Sequence, residues 1–326
     1  MLRNLLLTSC LASNLFFSGA TTALAQTDTY PNKPIHLITP VAPGGTSDIL
    51  SRIISEKLSA NFNQSVIVEN RPGAAGMVGT EYAGRAAPDG YTLVNVTSSH
   101  VVFKDLYKDV RFDALKDFVP IVLLARTPLT LVVANNLPVK NTKEFVAYAK
   151  ANPDKLGFGT SGIGSAVHLA MEKFEQDAGI KLVHVPYKGG APALQDIIGG
   201  NIPVVMSGLF TVTQSLKAHQ IRALFVTSAK RSPLFPDIPT AQEVGYPGYE
   251  ANEWWAILAP ANTPSAIVDK LNAKLNQTFK QPDVQAKLDQ LGIEFVGGSS
   301  AQAKSFMQDQ AVQWAKVIKT AGIKAE

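Results

Sequence analysis

Ile35-His36-Leu37-Ile38-Thr39-Pro40-Val41-Ala42-Pro43-Gly44-Gly45-Thr46-Ser47-Asp48 is the stretch that decides the fold. Residues 35–39 read as a strand and Pro43-Gly44-Gly45-Thr46 as a turn. Residues 47–61 read as a helix, with Ile49, Leu50, Ile53, Ile54 and Leu58 on one face. The alternation continues with a strand at 66–68, a turn at Asn70-Arg71-Pro72-Gly73 and a helix at 77–86. Pro88-Asp89-Gly90 stops that helix, and a third strand follows at 92–96. Strands alternating with helices of this length predict parallel strands joined by crossover helices, an α/β sheet.

A second α/β unit opens after the apolar runs at 121–124 and 129–133. Helices are predicted at 142–151, 165–178, 191–198 and 211–219, with strands at 156–159, 182–185, 204–206 and 221–227. A proline-rich loop follows (Pro233, Pro236, Pro239), where fixed φ angles and missing N–H groups exclude regular structure. Residues 254–258 read as a strand returning to the first unit. Thr263 and Pro264 start a helix as N-cap and first residue, with Ile267, Leu271, Leu275 and Phe279 recurring behind them. A short strand at 293–296 and an amphipathic helix at 301–321 complete the chain. The division is a first lobe of 26–127 plus 254–300, a second lobe of 128–253, and a C-terminal helix at 301–326 assigned to neither.

Length and composition agree with this division. The chain has 326 residues, roughly two domains at about 150 residues each. Hydrophobic residues make up 46% and charged residues 17%, which excludes a disordered chain. The single cysteine excludes a disulfide framework and a cysteine-based zinc module. A net charge of +4 without basic runs gives no footprint for nucleic acid.

Residues 1–25 read as an address rather than as fold. Arg3 precedes an apolar stretch containing Leu5, Leu6, Leu7, Leu11, Leu15, Phe16 and Phe17, and Ala23-Leu24-Ala25 forms a cleavage site before Gln26. That is a secretory signal peptide, placing the mature chain in the periplasm. Leu7-Thr8-Ser9-Cys10 matches a lipoprotein box, but too few residues precede Cys10 for an apolar region, so cleavage after Ala25 is expected instead. The mature chain then carries no thiol, as suits an oxidising compartment.

Two Gly/Ser-rich turns carry the chemistry. In the first, glycines allow close approach of a ligand, and the following helix presents unpaired N–H groups and a partial positive charge. Thr46 and Ser47 add hydroxyls, making an anion site without a basic side chain. Asp48, four residues before Arg52, reads as structural. The second turn, Gly157-Phe158-Gly159-Thr160-Ser161-Gly162-Ile163-Gly164-Ser165, contains a literal G-x-G-x-x-G. A dinucleotide site also needs an acidic residue after the next strand. Here Val185-Pro186-Tyr187-Lys188 follows, and a small-anion site fits better. A serine hydrolase using Ser161 with His184 or His168 is the enzymatic alternative. However, Gly159-Thr160-Ser161-Gly162-Ile163 breaks the G-x-S-x-G pattern and no His-Glu-x-x-His occurs. Trp254 and Trp255 point to opposite faces of their strand, one into the core and the other toward a ligand.

Three segments resemble the Bug (TctC-like) family, the periplasmic receptors of tripartite tricarboxylate transporters. They are Pro43-Gly44-Gly45-Thr46-Ser47-Asp48 with Arg52, Val68-Glu69-Asn70-Arg71-Pro72-Gly73-Ala74, and Ala87-Pro88-Asp89-Gly90-Tyr91-Thr92-Leu93. The likeness continues through Val183-His184-Val185-Pro186-Tyr187-Lys188-Gly189, Pro236-Asp237-Ile238-Pro239-Thr240 and Leu258-Ala259-Pro260. The resemblance implies a two-lobed type II periplasmic-binding-protein fold that closes on a small di-, tri- or aromatic carboxylate, with no enzymatic activity, cofactor or metal. The implied partners are membrane permease subunits or a sensor, with no nucleic acid, and a monomer is expected. Carried over, Ala42, Gly44, Gly45, Thr46 and Ser47 meet one carboxylate. Ser161, Gly162 and Ser165 meet the other end, with Ser98 lining the pocket; of the residues read apart from the resemblance, Trp254 is taken as the indole at the ligand and Ser207 as a further ligand-facing hydroxyl. Val41 stands where the family commonly has an aromatic residue. Met206-Ser207-Gly208-Leu209 replaces an Asp-Asn-like pair, pointing to a bulkier or more apolar carboxylate.

Overall fold

The computed structural model describes residues 30–325, so the leader peptide, Cys10 and Ala25 lie outside the described residues. The chain runs β1 (Ile35–Thr39), α1 (Thr46–Phe62), β2 (Val66–Asn70), α2 (Met77–Gly84), β3 (Thr92–Thr97), α3 (Phe103–Leu106) and β4 (Phe118–Ala134). It continues through α4 (Thr142–Ala151), β5 (Gly157–Thr160), α5 (Ala166–Ala178), β6 (Val183–Pro186), α6 (Gly190–Ile198), β7 (Val204–Gly208), α7 (Leu209–Lys217) and β8 (Ile221–Val226). The last elements are β9 (Asn252–Pro260), α8 (Ser265–Phe279), α9 (Pro282–Gln290), β10 (Glu294–Gly297) and α10 (Ser300–Ala321).

The strands form two half-sheets of like design. In the first the order is β2-β1-β3-β9-β4-β10, with β1 parallel to β2 and β3, β9 antiparallel to β3 and β4, and β10 antiparallel to β4. In the second the order is β6-β5-β7-β4-β8, with β5 parallel to β6 and β7, and β4 antiparallel to β7 and β8. Each half thus has three parallel strands and an antiparallel guest inserted before the fourth strand. This is the two-lobed α/β fold of type II periplasmic binding proteins.

β4 belongs to both halves. Its residues from Phe118 to Pro128 pair with β9, and those from Leu129 to Val133 pair with β7. The exchange of partners falls at Pro128, whose ring nitrogen cannot donate a ladder hydrogen bond. The two apolar runs seen in the sequence are therefore one strand. The polar interruption between them, Arg126 and Thr127, is where the lobes meet.

α1 shows why its sequence folds as it does. Leu50, Ile53, Ile54 and Leu58 are buried against Ile35, Leu37, Leu93 and Ile257, each contributing roughly 1.5–3 kcal/mol. Asn63, in the left-handed region at φ 51°, ends the helix. α8 begins one residue later than expected, with Pro264 at its N-cap, because Thr263 donates its hydroxyl to the Pro260 carbonyl. α9 was not apparent from the sequence.

α10 opens with a reciprocal cap, Ser299 Oγ accepting from the Gln302 N–H and Gln302 Oε1 from the Ser299 N–H. Its buried face, Met307, Trp314, Val317 and Ile318, joins a core that includes Val94 and Val96 of the first half and Phe158 and Phe174 of the second. The helix packs against residues of both half-sheets. Among the described residues no helix is long and apolar enough to cross a membrane.

Candidate functional site

A cavity of about 140 Å³ opens where β4 and β9 cross. Its floor carries Thr127 and Leu129 of β4, and Glu253 and Trp255 of β9. Side chains two apart on a strand share a face, and Thr127 lies directly opposite Glu253 in the ladder. The walls are the starts of four helices: Thr46 begins α1, Gly190 begins α6, Gly208 caps α7, and Ser161 and Val167 flank the start of α5. Each start carries the positive end of a helix dipole, and the first N–H groups of α1, α6 and α7 have no side-chain cap. Among the described residues no Lys, Arg or His lines the cavity. It is therefore suited to an anion held by backbone dipoles and by the hydroxyls of Thr46, Ser161, Ser207 and Thr211.

Of the residues expected at the ligand, Thr46, Ser161 and Ser207 come together on this cavity. Ala42, Gly44 and Gly45 are exposed on the loop leading to Thr46 and do not line it. The Gly44 N–H donates to Asp48 Oδ2 at 3.0 Å. Arg52 grips both Asp48 oxygens, at 2.9 and 3.2 Å, and Asn70 donates to Oδ1 at 3.0 Å. Burial alone would raise the Asp48 pKa, but the bonds from Arg52, Gly44 and Asn70 outweigh it and hold the carboxyl below its ordinary range. Asp48 thus braces the turn.

The other expected residues act around the cavity. Ser47 is buried and its hydroxyl accepts the Trp255 indole N–H at 2.8 Å. Ser98 is buried and donates to Glu253 Oε1 at 3.0 Å. Ser165 caps α5, and its hydroxyl also donates to the Gly162 carbonyl at 2.7 Å. The Gly162 N–H donates to Thr160 Oγ1 at 3.2 Å. Trp254 requires a correction: it is fully buried, packs edge-on against Phe306, and its indole N–H donates to Gln310 Oε1 at 3.3 Å. The indole at the cavity belongs to Trp255 instead. Parity along β9 explains the exchange, and the same parity places Glu253 on the cavity, which the sequence reading missed.

Neither histidine of the hydrolase alternative is hydrogen-bonded to Ser161. His184 Nε2 meets Thr160 Oγ1 at 2.6 Å, and His168 Nδ1 accepts from the Gly164 N–H at 3.1 Å. The two rings stack at 3.8 Å, and burial together with the His168 charge pushes the His184 pKa down to about 3. Among the described residues no group of three His, Cys, Asp or Glu side chains could hold a metal ion.

Two lobes sharing strands and enclosing a dipole-lined cavity define a solute-binding protein. The sequence profile of the tripartite tricarboxylate transporter family receptor, TctC, matches residues 50–323, and the chain belongs to that family. It is 33% identical to Protein BugT of Bordetella pertussis over 304 residues, covering 93% of each chain. Among solved structures it is similar to Rpa4515 of R. palustris with adipate, at TM-score 0.82 and 34% identity, covering 91% of this chain and 100% of that one. It is also similar to MatC of Rhodopseudomonas palustris with bound malate, at TM-score 0.78 and 28% identity, covering 89% and 100%. The family and these neighbours are binding receptors rather than enzymes.

Proposed function

We propose that this protein captures a small carboxylate in the cavity between its lobes and delivers it to membrane permease subunits of the tripartite tricarboxylate type. The observation that carries the reading is the convergence of four helix starts on a cavity that, among the described residues, no basic side chain lines. A carboxylate there takes N–H and hydroxyl donors from Thr46 in one lobe and from Ser161 and Ser207 in the other, so binding favours the closed arrangement. The adipate and malate in the two related structures support the ligand class. The lobes in this reading are 26–127 with 254–300, and 128–253. The chain is exported to the periplasm, loses its leader after Ala25, and works as a monomer.

Calorimetric titration against a broad panel of mono-, di- and tricarboxylates tests the ligand class. Saturable binding by one or more members is expected, and silence across the panel overturns it. N-terminal sequencing of the exported protein is expected to begin at Gln26.

A further inference from the structure

Glu253 is an unexpected group in a cavity suited to anions. It lines the cavity floor beside Trp255 and is half-buried. Ser98 Oγ donates to Oε1 at 3.0 Å, and among the described residues no cation pairs with the carboxylate. The neighbouring arginine is already engaged, since Arg126 grips Glu294 at 2.9 and 3.0 Å. Burial raises the Glu253 pKa to about 7, and the hydrogen bonds from Ser98 pull the other way.

A carboxylate in this position discriminates among ligands by its charge. Ionised, it repels a second carboxylate at the floor and attracts a cation or N–H donor. The helix starts along the walls already serve one carboxylate. The floor offers Glu253 and the Thr127 hydroxyl, and the hydroxyl itself donates to the Gly292 carbonyl at 2.9 Å. An acceptor-rich floor facing donor-rich walls matches a molecule with a carboxylate at one end and an amino group at the other.

We propose that Glu253 sets specificity, selecting amino-carboxylates whose ammonium group pairs with its carboxylate on the cavity floor while their own carboxylate meets the helix starts. This rests on the reading that the cavity holds a carboxylate. It narrows that class to zwitterions and places the discrimination on one side chain.

Titration calorimetry with two length-matched pairs tests it: succinate against γ-aminobutanoate, and adipate against ε-aminohexanoate. Each pair exchanges one carboxylate for an ammonium group on the same number of carbons. The amino acid of at least one pair is expected to bind about tenfold or more tightly than its diacid. Glu253→Gln, which keeps the shape and removes the charge, is expected to erase that preference. Tighter binding of the diacid in both pairs overturns the inference, as does a preference unchanged in Glu253→Gln. So does silence from all four compounds. The wider carboxylate panel separates these failures from failure of the site itself, because a chain that binds other carboxylates keeps its proposed function and loses only this selectivity. The comparison on the natural chain stands whether or not the variant folds.

Discussion

The Trp255 indole N–H donates to the Ser47 hydroxyl at 2.8 Å, joining the strand β9 to the first turn of α1. Both partners are buried, so the bond sets the position of the indole that lines the cavity from the helix start that forms one wall. Ser47→Ala leaves that N–H without an acceptor, at about 1–3 kcal/mol. The expected outcome is a lower melting temperature together with a shifted tryptophan emission, read by thermal denaturation and fluorescence.

Thr46, at the start of α1, and Ser161, in the turn before α5, line one cavity. Hydrogen bonds to a charged ligand are worth about 1.5–3 kcal/mol each. Thr46→Val and Ser161→Ala are each expected to weaken carboxylate affinity by about tenfold or more, with the melting temperature of the unliganded protein unchanged. Calorimetry and a thermal melt on the same samples separate the two effects.

The two glycine-rich turns differ in what they demand. Gly45 has φ −82°, and a Cβ there meets nothing within 4 Å. Gly164 has φ +74°, and a Cβ there collides with Leu106 Cδ1. Gly164→Ala is expected to cost about 1–3 kcal/mol in denaturant unfolding. Gly45→Ala is expected to stay within about 0.5 kcal/mol.

Glu175 gives a pH signature. Burial, reinforced by the Glu172 charge, raises its pKa from 4.5 to about 8, while its bond from the Leu182 N–H pulls the other way. The unfolded chain releases this proton near the ordinary value and the folded chain only near the raised one. Between the two the folded state holds more protons, so stability is full below pH 4.5, falls through that window and levels above about 8. Glu175→Gln removes this dependence. The gap in melting temperature between variant and natural chain is expected to move in the variant's favour from pH 5 to pH 8.

Much of the architecture was legible because hydrophobic spacing reports burial directly. The face of α1 and the turns around Gly44 and Gly164 follow from residue type alone. β4 was read as two runs because Arg126, Thr127 and Pro128 interrupt the apolar pattern, and that interruption is the crossing of the lobes rather than a loop. α9 was missed because only Val284 and Leu288 are buried along it, too few to set a period. At the site, the hydroxyls on the turns could be read, whereas Glu253 could not. Its role depends on which of two adjacent indoles faces inward, and that is fixed by the pairing of β9 with β3 and β4.

The strand shared by both half-sheets has a thermodynamic consequence. β4 cannot leave one ladder without disturbing the other, and the core under α10 draws residues from each half. Heat therefore reaches the two lobes together, in one cooperative transition. A ligand seated at the crossing raises the melting point of the entire chain, and amide exchange far from the cavity slows along with that beside it.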